Sequence, residues 1–155
     1  MVTAGKKAPK RPLLRWLASF VLVLPAMRST AKKILIVDGD DNFRESLRTF
    51  IKGLGHEVIE AATGPDALEK ASSTSPDLII MDVYLPGMNG DEVTKRLKAN
   101  ISTRNIPVVI DGAWTTACNV EERISRALIA GAAEALYKPF QFPMLRDVLR
   151  TYLFA

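Results

Sequence analysis

Lys33-Ile34-Leu35-Ile36-Val37-Asp38-Gly39-Asp40-Asp41 is the stretch on which the fold turns. Its apolar residues run on without polar alternation, the pattern of a strand covered on both faces, as in a parallel sheet flanked by helices. The run stops at a knot of acids, so the carboxyl end of this first strand carries charge. Outward from it the chain alternates strand and helix. Phe43, Leu47, Phe50, Ile51 and Leu54 follow a helical period that Gly53 and Gly55 stop. A short strand over 57–61 and a short helix over 64–71 come next, with Pro65 acceptable in the first turn. The remaining units are a buried strand over 78–81 and a helix over 91–99, a strand over 106–110 and a helix over 119–130, and a strand over 133–137 and a helix over 143–153. Asn119 caps its helix and Gly131 follows it, while Pro143 stands in the first turn of the last helix. Five βα repeats with right-handed crossovers make a parallel sheet with helices on both faces.

The composition fits one domain. The chain has 155 residues, 48% hydrophobic and 25% charged, an ordinary globular balance. One cysteine (Cys118) excludes a disulfide framework and a four-cysteine zinc site, and one histidine (His56) excludes a histidine-rich metal centre. The formal charge of +4 is misleading. Lys6, Lys7, Lys10, Arg11, Arg15 and Arg28 put six bases and no acid into residues 1–31, which leaves −2 for residues 32–155. The domain is therefore mildly acidic, which argues against a nucleic-acid surface.

Residues 1–31 read as a separate basic and apolar extension, and 32–155 as the domain. Residues 16–27 are twelve without a charge, too few for a membrane-spanning helix, which needs about 20. They match the apolar core of a signal peptide, with Ser29-Thr30-Ala31 a poor cleavage site. Contact with a membrane surface or a partner, and a translated leader ahead of a natural start at Met27, are the other readings.

Ligands in open α/β sheets bind beyond the carboxyl ends of the strands. Strand one ends at Asp38-Gly39-Asp40-Asp41, strand three at Asp82, strand four at Asp111-Gly112 and strand five at Lys138-Pro139-Phe140. Acids and one lysine thus collect on one edge. Acids packed this closely repel unless a cation joins them or a pKa rises. Oxygen-only ligands point to magnesium or manganese rather than zinc.

Several blocks carry a resemblance: Ile34-Leu35-Ile36-Val37-Asp38, residues 76–90 (Pro-Asp-Leu-Ile-Ile-Met-Asp-Val-Tyr-Leu-Pro-Gly-Met-Asn-Gly), Ile106-Pro107-Val108-Val109, Gly131-Ala132 and Lys138-Pro139-Phe140. With these, residues 33–153 resemble a response-regulator receiver domain of two-component signalling. The resemblance implies a flavodoxin-like, doubly wound (βα)5 sheet in the order 2-1-3-4-5, with helices one and five on one face and two, three and four on the other. It implies that Asp82 accepts a phosphoryl group from a sensor histidine kinase or phosphotransfer protein. Asp38, Asp82 and the backbone carbonyl of Tyr84 become magnesium ligands, and Lys138 the cation on the phosphate. It also implies a stand-alone cytoplasmic signalling protein rather than a metabolic enzyme. Its output would pass by protein contact through 119–130, 133–137 and 143–153. Taken singly, Asp38 could merely cap the following helix and Lys138 merely pair with Asp82.

Two departures bear on that chemistry. The family usually has two adjacent acids after strand one, and here the second is Gly39, with Asp40 or Asp41 left to reach inward; otherwise magnesium binds more weakly. The family has Ser or Thr at the end of strand four. Counted from Pro107 that position is Gly112; counted back from Lys138 it falls at Thr116-Ala117, so the loop carries an insertion of four residues near 111–114. The preferred reading ends the strand at Ile110 with Gly112 in a turn and Thr115 and Thr116 out on the loop. The aromatic usual on strand five is replaced by Ala135, with Tyr137 the nearest on the same face. Trp114 reads as a lid, a partner contact or packing on the next helix.

A pseudo-receiver that binds partners without phosphorylation is the main rival. A third reading compares Asp38-Gly39-Asp40 with the Asp-x-Asp nucleophile of haloacid-dehalogenase-like phosphatases. That family wants Thr or Val where Asn42 stands, and its later paired acids and cap domain have no counterpart here.

Overall fold

The computed structural model describes residues 31–113 and 119–154. The expectations for residues 1–30 and for Trp114, Thr115, Thr116 and Cys118 lie outside the described residues. The elements alternate in chain order: β1 (Lys33–Val37), α1 (Asp41–Gly53), β2 (Glu57–Ala61), α2 (Gly64–Thr74), β3 (Leu78–Asp82), α3 (Gly90–Ala99), β4 (Val108–Ala113), α4 (Val120–Ile129), β5 (Glu134–Lys138) and α5 (Phe142–Leu153). All strand pairs are parallel, in the order β2-β1-β3-β4-β5. This is the flavodoxin-like arrangement, with β3 at its centre.

Alternation along the strands divides the interior into two cores. Leu35, Val37, Ile79, Met81, Val108 and Ile110 face α2, α3 and α4, where they meet Ala67, Ala71, Val93, Leu97, Val120, Ile124 and Ala127. Ile34, Ile36, Leu78, Ile80, Val109 and Leu136 face α1 and α5, and pack on Leu47, Ile51, Leu145, Leu149 and Leu153. The division of helices between the faces is the expected one. Each of the valine, leucine, isoleucine and methionine side chains, fully covered, stabilises the fold by about 1.5–3 kcal/mol.

The helix starts follow local chemistry. Asp40 caps α1, its Oδ1 accepting from the N–H groups of Asn42 (2.8 Å) and Phe43 (3.1 Å). Thr63 caps α2 through Asp66 N–H, and Asn119 caps α4 through Glu122 N–H. An oxygen at this position satisfies donors that the first helical turn leaves unpaired. Gly55 and Gly131 adopt positive φ after α1 and α4, a backbone that side chains rarely tolerate.

One boundary differs from the sequence reading. β4 does not stop at Ile110. Asp111 pairs with Asp82 on one side and Leu136 on the other, Gly112 pairs with Tyr137, and Ala113 with Lys138. Gly112 is thus a strand residue rather than a turn. Pairing with β5 holds it in the ladder, and crowding explains why it is glycine: a Cβ there would stand 2.7 Å from Val120 Cγ2 and 2.9 Å from Val83 Cγ1, so α4 closes directly over a bare backbone.

Candidate functional site

The same alternation builds the site. Asp38 continues the face of Ile34 and Ile36, Asp82 that of Ile80, Asp111 that of Val109 and Lys138 that of Leu136. All four therefore project to the α1–α5 side, each at the carboxyl end of its strand. β1, β3 and β4 are neighbours, so their three acids sit side by side, and Lys138 reaches across from β5.

Lys138 Nζ donates to Asp38 Oδ2 at 2.7 Å and to Asp82 Oδ2 at 3.1 Å. It also stands 2.8 Å from Asp111 Oδ1, close enough for an ion pair but without the direction of a hydrogen bond, so this buried oxygen has no hydrogen-bond partner. The other oxygens of the first two acids are held by backbone: Asp38 Oδ1 accepts from Asp40 N–H (2.7 Å) and Asp82 Oδ1 from Tyr84 N–H (3.0 Å). The Phe43 ring lies 4.2 Å beneath the ammonium, and Phe140 meets Phe43 edge-on. Arg44 donates to the Asp38 carbonyl and pairs with Glu60, tying α1 to the end of β1.

Burial sets the proton affinities. It pushes the Asp82 carboxyl above its ordinary range, against the pull of Lys138. Asp111, only 1% exposed, is pushed up to about 7 for the same reason. Burial alone would lower the Lys138 pKa, but the charges of Asp111 and Asp82 hold the ammonium above its usual value.

Of the residues named from sequence, the fold brings Asp38, Asp82 and Lys138 together. Asp40 is not brought in; its carboxylate is occupied with the α1 cap, and Asp41 turns outward to Arg44. Tyr84 follows Asp82 in the loop after β3, and its ring carries the Arg123 guanidinium at 5.5 Å. Ala135 packs into the α2–α4 core and Tyr137 is 40% exposed. Asp111 was noted at the end of its strand without a role. Its place two residues past Val109 was the signal that it shares a face with Asp82. Asp38, Asp82 and Asp111 each offer an oxygen within 4.8 Å of the others, a set that could hold a hard cation.

Sheet order and edge together define a doubly wound α/β domain with three acids and one lysine gathered at the carboxyl ends of its strands. The chain belongs to the response regulator receiver domain family, whose family model matches residues 34–150. It is similar to the polar-differentiation response regulator DivK of Brucella ovis, 36% identical over 123 residues that cover 79% of this chain and 96% of that one. Among solved structures it is similar to the chemotaxis response regulator CheY4 of Vibrio cholerae, with 31% identity, a TM-score of 0.71, and 80% and 100% of the two chains covered. It is also similar to the receiver domain of a sensor histidine kinase of Pseudomonas aeruginosa PAO1, solved with a magnesium ion coordinated in the active site cleft. That match has 25% identity, a TM-score of 0.71, and covers 81% and 99% of the two chains. Among the described residues no helix is long and apolar enough to cross a membrane.

Proposed function

We propose that this receiver takes a phosphoryl group onto Asp82 from the phosphohistidine of a sensor histidine kinase or phosphotransfer protein, in the cytoplasm, and signals by protein contact through α4, β5 and α5. The observation that carries the reading is the Asp82 carboxylate: at the end of the central strand, hydrogen-bonded to Lys138, and with its side chain 18% exposed, so a donor can reach it. In the transfer a carboxylate oxygen of Asp82 attacks phosphorus in line. The P–N bond breaks, its electron pair returns to the ring nitrogen of the donor, and an acyl phosphate is left on Asp82. The Lys138 ammonium stands where charge grows on the phosphoryl oxygens. Tyr84 N–H fixes the rotation of the attacking carboxylate. The donor chemistry fits magnesium or manganese, held by Asp38, Asp82 and the Tyr84 carbonyl, and such an ion when bound neutralises phosphoryl charge.

The test is mass spectrometry after incubation with a small phosphoryl donor and magnesium. One added phosphoryl group, absent from Asp82→Asn, is expected. No added mass, or mass that persists in the variant, overturns the reading. The pseudo-receiver alternative draws on the bare Gly112, over which Val120 and Val83 leave no room for a phosphate-sensing hydroxyl. It gains if no mass is added while partners still bind.

A further inference from the structure

We propose that Asp111 is the third acid of the cation site, replacing from β4 the carboxylate that Gly39 does not supply. The inference rests on the receiver reading for the identity of the cation, but not for the geometry. Asp111 lies in Cα register with Asp82, and the Val83 N–H donates to the Asp111 carbonyl at 2.7 Å, so this stretch of β4 is fixed against the end of β3. Its side chain, on the face of Val109, puts an oxygen within 4.8 Å of those of Asp82 and Asp38.

Two independent observations assign it to a cation. The first is the set of carboxylate oxygens from three adjacent strands within 4.8 Å of one another. The second is Asp111 Oδ1 itself, buried, aimed into that set and held by no directed hydrogen bond, its one counter-charge being the Lys138 ammonium at 2.8 Å that it shares with Asp38 and Asp82. One ammonium shared among three carboxylates compensates their desolvation only in part. Lys138 accounts for one charge. With all three carboxylates ionised, the acids and the one ammonium leave a surplus of two negative charges, which one divalent ion would neutralise in place of a proton on Asp111.

The lost acid and its replacement approach from opposite sides. A Cβ on Gly39 would point at Pro86, 3.3 Å from its Cδ, on the loop after β3. Asp111 enters from β4, on the far side of β3 from β1. Asp40 and Asp41 are committed to the α1 cap and to Arg44, which leaves Asp111 to supply the count.

Magnesium and, separately, manganese are titrated into the full chain by calorimetry, with no phosphoryl donor present. Asp111→Asn keeps the shape of the side chain and should weaken metal binding about tenfold or more, because affinity for hard cations follows the number of charged ligands. Adding Gly39→Asp to Asp111→Asn should restore most of that loss. Gly39→Asp alone should tighten binding by less than about tenfold, since three acids are already present. Unchanged affinity in Asp111→Asn, or a double variant no better than Asp111→Asn, overturns the proposal and leaves Asp111 as a companion of Lys138. Should Asp111→Asn fail to fold, the Gly39→Asp arm decides alone: strong tightening means an acid was missing. Failure of phosphorylation at Asp82 would leave these isotherms standing, so the two readings fail separately.

Discussion

The ammonium of Lys138 and the carboxylate of Asp38 meet at 2.7 Å although 100 residues separate them in the chain. Between their strands lie β3 and β4, so this one contact closes the charged edge of the sheet across its width. Only two of the three acids on the ammonium are held by directed hydrogen bonds, but all three depend on its charge.

Lys138→Ala should therefore be strongly destabilising. It leaves three packed carboxylates without their cation, and removing one member of a buried charge set costs about 3–5 kcal/mol. Urea unfolding in chelator measures the loss. Addition of magnesium should recover part of it, and a variant as stable as the parent without metal would contradict the electrostatic account.

His56, the sole histidine of the sequence, has a ring titration that can be assigned without ambiguity, whereas the stability profile near neutral pH also carries Asp111, whose raised pKa acts with the opposite sign. Burial lowers its pKa, and its Nδ1 accepts from the Lys32 N–H at 3.4 Å, a bond that needs the neutral ring. The folded pKa lies below the unfolded value of about 6.5, so the unfolded chain binds more protons and stability falls as pH drops through that value. His56→Gln should remove this component and leave the opposite slope of Asp111. Proton NMR of the ring reads the pKa directly, and a value at or above 6.5 would be the wrong outcome.

Gly112→Thr should not restore a phosphate-sensing hydroxyl. The added Cβ runs into Val120 and Val83, and such overpacking costs about 1–3 kcal/mol. Val120→Ala in the same chain should return part of that stability. In the parent, a phosphate mimic such as beryllium fluoride should change amide exchange over 119–153 only modestly, because a modification shifts an equilibrium only through contacts that differ between the states. A large change that disappears in Thr116→Ala would locate the hydroxyl in the loop instead.

Gly90→Ala tests how tightly the acceptor is held from behind. A Cβ at Gly90 would lie 2.5 Å from the Asp82 carbonyl oxygen and 3.0 Å from Val83 Cα, both backbone atoms that cannot rotate away. A loss of about 1–3 kcal/mol is expected, together with slower phosphoryl uptake at Asp82. Thermal unfolding and the mass assay read the two effects.

The legible part of the fold was the part that packing dictates. Ile34 to Val37 and Leu78 to Met81 have no polar face, which permits only covered strands. Asp38 and Asp82 could be placed because each directly follows or ends such a run, and Lys138 by the Lys138-Pro139-Phe140 block that closes strand five. The end of β4 was not legible, because a glycine after an acid has the composition of a turn. What keeps Asp111 and Gly112 in the ladder is pairing with Asp82, Leu136 and Tyr137, residues far off in sequence. The role of Asp40 was equally hidden. An acid near a metal site and an acid capping a helix are the same letter, and the start of α1 decides between them.

The sheet that carries the site is also a partition. Asp38, Asp82, Asp111 and Lys138 all stand on the side of α1 and α5, whereas α4 rests on the opposite side, against Val83, Ile110 and Gly112. Among the described residues no buried apolar side chain belongs to both compartments. If Asp82 is modified as proposed, two routes lead to α4: through Tyr84, whose N–H holds Asp82 and whose ring carries Arg123 of α4, and through the β4 main chain, where the peptide between Asp111 and Gly112 is a wall one residue thick. At that point the sender is a carboxylate and the receiver is a glycine with nothing to grip. What crosses is displacement alone, and the valines packed on the bare strand feel it first.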